Sequence, residues 1–210
     1  NGVVEFDGAK QVNGILGLLL PNQSYVEFLY NSEDIHMSTK GPEYQKNLTI
    51  MASEENKVFI PYIKFVGTEN GKKAKLKKER SSLSRGTPKY ESLTAEMIAL
   101  DEGLKSYQKE LCLNHGDKLV SKIVKMSMEV LIPEPPVDEN GNIIDSNFRF
   151  LYYRSHYWDN LDMTNDALVN NPIFHNKLQF YFGQNMMVQH WDTISKYAFE
   201  FCDQLNPKSK

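Results

Sequence analysis

The sequence predicts an α+β protein: a small antiparallel β-sheet or sandwich domain followed by an all-α helical domain. Short apolar runs bounded by Gly, Pro, Asn and Asp fill the chain as far as residue 52, the pattern of strands and turns. From Ser53 onward apolar residues instead recur three and four apart, the spacing of a helix face. Prolines and glycines then fall mostly between those stretches rather than within them. The β-rich part is therefore expected at 1–52 and the helical part at 53–210.

Asn1-Gly2 is a hairpin signal, because both residues tolerate the positive φ of a type I′ turn. Val3-Val4-Glu5-Phe6 follows as a strand and Asp7-Gly8 as a second turn, so a strand is expected upstream of Asn1. Further strands are expected at Ile15–Leu20, Tyr25–Tyr30, Ile35–Ser38 and Leu48–Met51. Pro21-Asn22, Asn31 to Asp34 and Lys40-Gly41-Pro42 punctuate them. Connections this short favour antiparallel pairing.

Ser53-Glu54-Glu55 offers a side-chain oxygen to the free amides of a helix start, with acids at its positive end. That helix presents Phe59, Ile63 and Val66, and Pro61 inside it removes one hydrogen bond. The basic run Gly71 to Arg80 and a loop-like SSLSRGTP come next. Near Ser92 the clearest helix begins, with Leu93, Met97, Leu100, Leu104, Tyr107 and Leu111 forming a seam interrupted only by Gly103. Asn114-His115-Gly116 ends it, and Asp117 is placed to cap a helix carrying Leu119, Ile123, Met126 and Val130. After the proline-rich 133–136 and a turn at 138–142, a helix is expected over Phe148–Tyr157. Thr164 is expected to cap a short turn around Leu168. Pro172 opens a helix with Ile173, Phe174, Leu178, Tyr181 and Phe182 on one face, stopped by Gly183. The last helix carries Ile194, Ala198, Phe201, Cys202 and Leu205 as a wide apolar stripe. One core is expected to gather Phe59, Leu100, Leu104, Ile123, Leu178, Ile194 and Phe201.

A chain of 210 residues, 40% hydrophobic and 24% charged, can bury a real core. Its formal net charge of −3 favours neither a nucleic-acid surface nor a strong membrane attraction. No apolar run approaches the roughly 20 residues that span a bilayer. The chain starts on Asn1 without a signal peptide, so any export signal is expected outside it. Cys112 and Cys202 form no C-x-x-C. They suit either a long-range disulfide or two buried thiols on helix faces, and the second is the simpler expectation.

Two sets of phrases resemble a known group. Over about residues 1 to 66, the opening Asn-Gly-Val-Val-Glu-Phe, Val12-Asn13-Gly14-Ile15, the Leu20-Pro21-Asn22 turn and Ala52-Ser53-Glu54-Glu55-Asn56-Lys57-Val58-Phe59 look like a small β domain that precedes thioredoxin-like modules. That group commonly has Gly where Ala52 stands. Over about 105 to 205, His156-Tyr157-Trp158-Asp159-Asn160, Asn171-Pro172-Ile173-Phe174 and Asp192-Thr193-Ile194 are similar to a helical domain of unknown function in the same envelope proteins of Gram-negative anaerobes. Trp191 stands where proline is frequent, and Leu168-Val169 replaces the usual Leu-Leu. The resemblance implies an exported protein of the periplasm or cell envelope, often lipid-anchored upstream. It also implies a partner: a C-terminal thioredoxin-like domain that carries the C-x-x-C of a thiol-disulfide oxidoreductase. No position in this chain receives those catalytic residues, so the chain is expected to be non-enzymatic. It would orient the redox module or dock a client.

The C-terminal block still invites sites. His156-Tyr157-Trp158-Asp159 and His190-Trp191-Asp192, with His175, have the residue types of a zinc centre or an acid–base pair. No two of these histidines sit four apart and H-E-x-x-H is absent, so helix caps and interhelical hydrogen bonds are the expectation. No metal, cofactor or catalytic residue is assigned. The lysine run suits an anionic partner but lacks interleaved aromatics, so a solvated helix face or mobile loop, and no nucleic acid, is expected. Tyr152, Tyr153, Tyr157, Trp158, Phe174, Phe180, Tyr181 and Phe182 serve either as helix-packing core or as a groove for a peptide or glycan. Core is the first expectation, with exposure at Phe180 and Tyr153 as the sign of a binding face. A stand-alone binding module using these helices is the alternative function, and a hydrolase built on the His and Asp residues a weaker one. Phosphate-binding glycine loops and an identifiable Ser or Cys nucleophile are absent.

Overall fold

The computed structural model describes residues 2–20, 22–184 and 186–205. The α+β class holds: two small antiparallel sheets come first, then helices. Strand β1 (Gly14–Leu19) pairs with β2 (Tyr25–Tyr30), and β3 (His36–Ser38) pairs with β4 (Thr49–Ala52). The helices are α1 (Asn56–Ser81), α2 (Pro88–Asn114), α3 (Leu119–Ser127), α4 (Phe148–Ser155), α5 (Pro172–Tyr181) and α6 (Trp191–Cys202). A 3-10 turn, Asp166–Leu168, lies between α4 and α5. Two compact units result, 1–121 and 122–210, with α3 running across the division. Phe59, Leu100 and Leu104 belong to the first and Ile123, Leu178, Ile194 and Phe201 to the second, so the residues expected in a single core fall in two separate units.

In the first unit the expected strand at Val3–Phe6 does not form, and Val3, Val4 and Phe6 are exposed. Alternation alone does not make a strand without a partner edge. Just after this segment the Tyr30 hydroxyl donates to the Gly8 carbonyl at 2.9 Å. The Asn1-Gly2 and Pro21-Asn22 turns involve Asn1 and Pro21, which lie outside the described residues. The outer edge of β2 is closed by side-chain amides standing in for a strand. Gln45 Oε1 accepts from Glu27 N–H at 2.6 Å while its Nε2 donates to the Glu27 carbonyl at 3.2 Å. Asn56, 0% exposed, does the same for Leu29 at 2.7 and 2.6 Å. An unpaired strand edge is thereby satisfied without a further strand.

Helix α1 packs on β2, β4 and α2. It passes through Pro61 and continues to Ser81, so the basic run is a solvated face of this helix rather than a separate segment. Lys73 reaches Asp101 of α2 at 2.5 Å. Ser53 accepts from the Asn56 amide as expected, at 2.8 Å, but most of the α1 cap comes from elsewhere. Glu33 takes the Ser53 hydroxyl and the amides of Glu54 and Glu55, the latter two at 2.9 and 3.2 Å. Helix α2 begins at Pro88 rather than near Ser92, with Thr87 as its cap. Its expected seam is correct: Leu93, Met97 and Leu111 are buried, and Leu100, Leu104 and Tyr107 partly so.

Helix α3 corrects another expected cap. The buried Glu55 carboxylate, not Asp117, accepts the Leu119 and Val120 amides at 2.9 and 2.8 Å. In the second unit Asn165 rather than Thr164 caps the 3-10 turn, while Asn171 caps α5 just ahead of Pro172. Tyr157, Tyr181, Met186 and Met187 form this unit's buried cluster, with Trp158, Phe182, Ile194 and Tyr197 packed against it.

Candidate binding groove

The aromatic block of the second unit is divided between packed core and the wall of a groove. Tyr157 is 4% exposed and sits edge-on to Trp158 at 4.8 Å and Tyr153 at 5.6 Å, in the edge-to-face arrangement that ring quadrupoles favour. Tyr181 and Phe201 lie 5.0 and 4.7 Å from the Trp158 ring. These rings are core. On one side of them opens a groove of about 800 Å³, lined by Tyr152, Arg154, Trp158, Asp159, Tyr181 and Tyr197 among others. That volume lies within the roughly 300–1,000 Å³ of small-molecule sites.

Three helices position the lining. Leu151, Tyr152 and Ser155 stand three, four and seven positions after Phe148 and so share one face of α4 with it. Tyr181 ends α5, and α6 contributes Tyr197 and Glu200. Arg154 lays its guanidinium 4.0 Å above the Tyr197 ring, a cation–π contact. Burial raises the Tyr181 phenol above its ordinary range, and the Arg154 charge works against that rise. Trp158 Nε1 is enclosed with no acceptor at bonding geometry.

Behind the groove the Lys177 ammonium lies 4.1 Å above Tyr157 and 5.7 Å from Trp158. Desolvation lowers its pKa. The Tyr157 hydroxyl donates to the Lys177 carbonyl at 3.2 Å, and burial drives that phenol far above its normal range. Asp162 ties this unit to its own α3 segment through Lys122 at 2.9 Å. Its carboxyl is held low first by the Thr164 hydroxyl and then by Lys122.

As expected, His156 and His190 stand at helix ends, the first closing α4 and the second opening α6, but among the described residues no interhelical hydrogen bond of His156, His175 or His190 is seen. His156 is bonded to Asp159 on its own turn, Nδ1 to carboxylate at 2.6 Å, and stacks on Tyr152 at 4.1 Å. His175 and His190 are exposed, the latter 3.5 Å from Asp192. Among the described residues no three His, Cys, Asp or Glu side chains converge as metal ligands. Both cysteines are free, Cys112 partly buried and Cys202 exposed, so the expected pair of buried thiols is wrong for Cys202. Its position on the outer side of α6 follows the exposed Trp191 and Phe199. No described helix is long and apolar enough to cross a membrane.

Of the eight aromatics read from the sequence, Tyr152, Trp158 and Tyr181 line the groove. Phe180 is 42% exposed, but Tyr153 packs against the core cluster and neither lines the groove. Sequence reasoning missed Arg154, Tyr197 and Glu200. Their signal was present in the α4 and α6 spacing, yet which faces of two short helices meet is a tertiary fact. Comparison with protein-family models, with curated proteins and with solved structures finds no match.

Proposed function

We propose that this chain is a non-catalytic docking region of an exported, envelope-located protein. In that reading it holds a segment of a client in the groove of its second unit and presents it to a thioredoxin-like domain of the same protein. The groove is the observation that supports docking: aromatic walls, a charged rim and a volume suited to a few side chains. The redox context rests on the resemblance of the Ser53-Glu54-Glu55-Asn56 and His156-Tyr157-Trp158-Asp159 phrases to such proteins, an argument by analogy.

Titrating the 15N-labelled chain with a tryptic digest of a reduced, alkylated protein tests docking. Shift changes confined to the backbone of α4, the end of α5 and α6 are expected. No changes, or changes confined to residues 2–121, would contradict it. The redox context is tested apart from this by sequencing the coding region beyond codon 210, where a C-x-x-C within a thioredoxin-like domain is expected.

A further inference from the structure

We infer that the groove selects a basic peptide segment, seating a lysine or arginine side chain among Asp145, Asp159 and Glu200. This rests on the docking reading above. The charges at the groove decide it. Three carboxylates line it against one guanidinium, that of Arg154, and this cation is already engaged over the Tyr197 ring. Asp159 is bonded to His156 at 2.6 Å, and Glu200 lies 3.9 Å from Lys196. Asp145 accepts from the Asn147 amide at 2.8 Å and has no cation partner among the described residues. Even with Lys196 counted beside Arg154, three carboxylates stand against two cations along the groove, so an acidic occupant meets repulsion where a basic one meets attraction. The rings add what the carboxylates cannot. Tyr152 and Trp158 offer apolar wall to the methylene stem of a lysine or arginine, whose head then reaches the rim. A neutral peptide gains the wall but not the rim.

The fluorescence of Trp158 reads this directly once the exposed Trp191 is removed, so Trp191→Phe is the background. It is titrated with three blocked tetrapeptides: Ala-Lys-Lys-Ala, Ala-Gln-Gln-Ala and Ala-Glu-Glu-Ala. The lysine peptide is expected to bind tightest and the glutamate peptide weakest, with the preference shrinking as salt shortens the screening length. Asp145→Asn and Glu200→Gln should each weaken the lysine peptide about three-fold, the scale of a partly exposed ion pair. Circular dichroism and a thermal midpoint matching those of the Trp191→Phe background show that the variants are folded, and the loss should be larger for the lysine peptide than for the glutamine peptide. Equal binding of all three peptides overturns the basic preference and leaves docking standing. Tightest binding of the glutamate peptide overturns it as well. No binding of any peptide overturns both.

Discussion

Asn56 shows how much one side chain carries in this fold. Its amide reproduces both backbone bonds of a neighbouring strand on Leu29, in a site closed to water. Replacing it with Leu, a near match in size, leaves a buried N–H and a buried carbonyl without partners. Each such group costs about 1–3 kcal/mol, so Asn56→Leu should lower stability by about 2–6 kcal/mol in urea titration. A change below about 0.5 kcal/mol, the range of an ordinary surface substitution, would contradict the edge-closing role. Nothing in the sequence marks Asn56 for this task, because its partner lies 27 positions away. Lys177 is a second residue whose character comes from its surroundings. Desolvation disfavours its ammonium, so its amine should become reactive at lower pH than the side chain of a free lysine peptide added as reference. Competitive acetylation across about pH 8 to 11, read by mass spectrometry, should show that order. Coincident midpoints would mean that the amine is solvated.

At the scale of elements, two glutamates organise the first unit by occupying helix starts that the chain does not cap locally. Glu33 serves α1, and Glu55, itself on the turn that opens α1, serves α3. Amides at a helix start carry partial positive charge, so a carboxylate there is favoured twice, by bonding and by the dipole. Glu55→Ala should cost about 2 kcal/mol or more. It should also speed hydrogen exchange at Leu119 and Val120 before it affects α2. Glu55→Gln, which keeps one acceptor oxygen, should fall between. Unchanged exchange at those two amides would sink the capping role. The four strands that form and the α2 seam were legible because they follow local spacing, whereas Val3–Phe6 had the composition of a strand but no partner edge. Long-range caps were not, and sequence reasoning accordingly assigned α3 to Asp117. Thr87-Pro88 could have been read, since a cap followed by proline opens a helix; the Ser and Gly just before it made it resemble a loop. The length of α1 was hidden by Pro61 and by lysines, which break an apolar pattern without breaking a helix.

For the molecule as a whole, two compact units divide the work between a sheet-and-helix body and an aromatic helical one. The stability of the second unit should have an acid limb from Asp162. Its pKa is lowered in the fold, so its contribution is complete above the unfolded value of about 3.9 and disappears as pH falls through the lower folded value. The Lys122 pair is one-third exposed on both sides, so Asp162→Asn should cost no more than about 1 kcal/mol at neutral pH. That cost should shrink as the pH falls through the lowered folded value and vanish once the carboxyl is protonated in both states. A cost that persists there would assign the effect to the neutral bonds with Thr164 instead. The aromatic richness of this unit was visible in sequence, but its division into core and groove was not. Tyr157 and Trp158 are neighbours in the chain, yet only the second reaches the groove. A crystal structure of the chain with Ala-Lys-Lys-Ala bound tests the central claim most directly. A lysine ammonium should lie within about 4 Å of the Asp145, Asp159 or Glu200 carboxylate, with its stem against Tyr152 or Trp158. A peptide seated on another surface, with the groove empty, would contradict it.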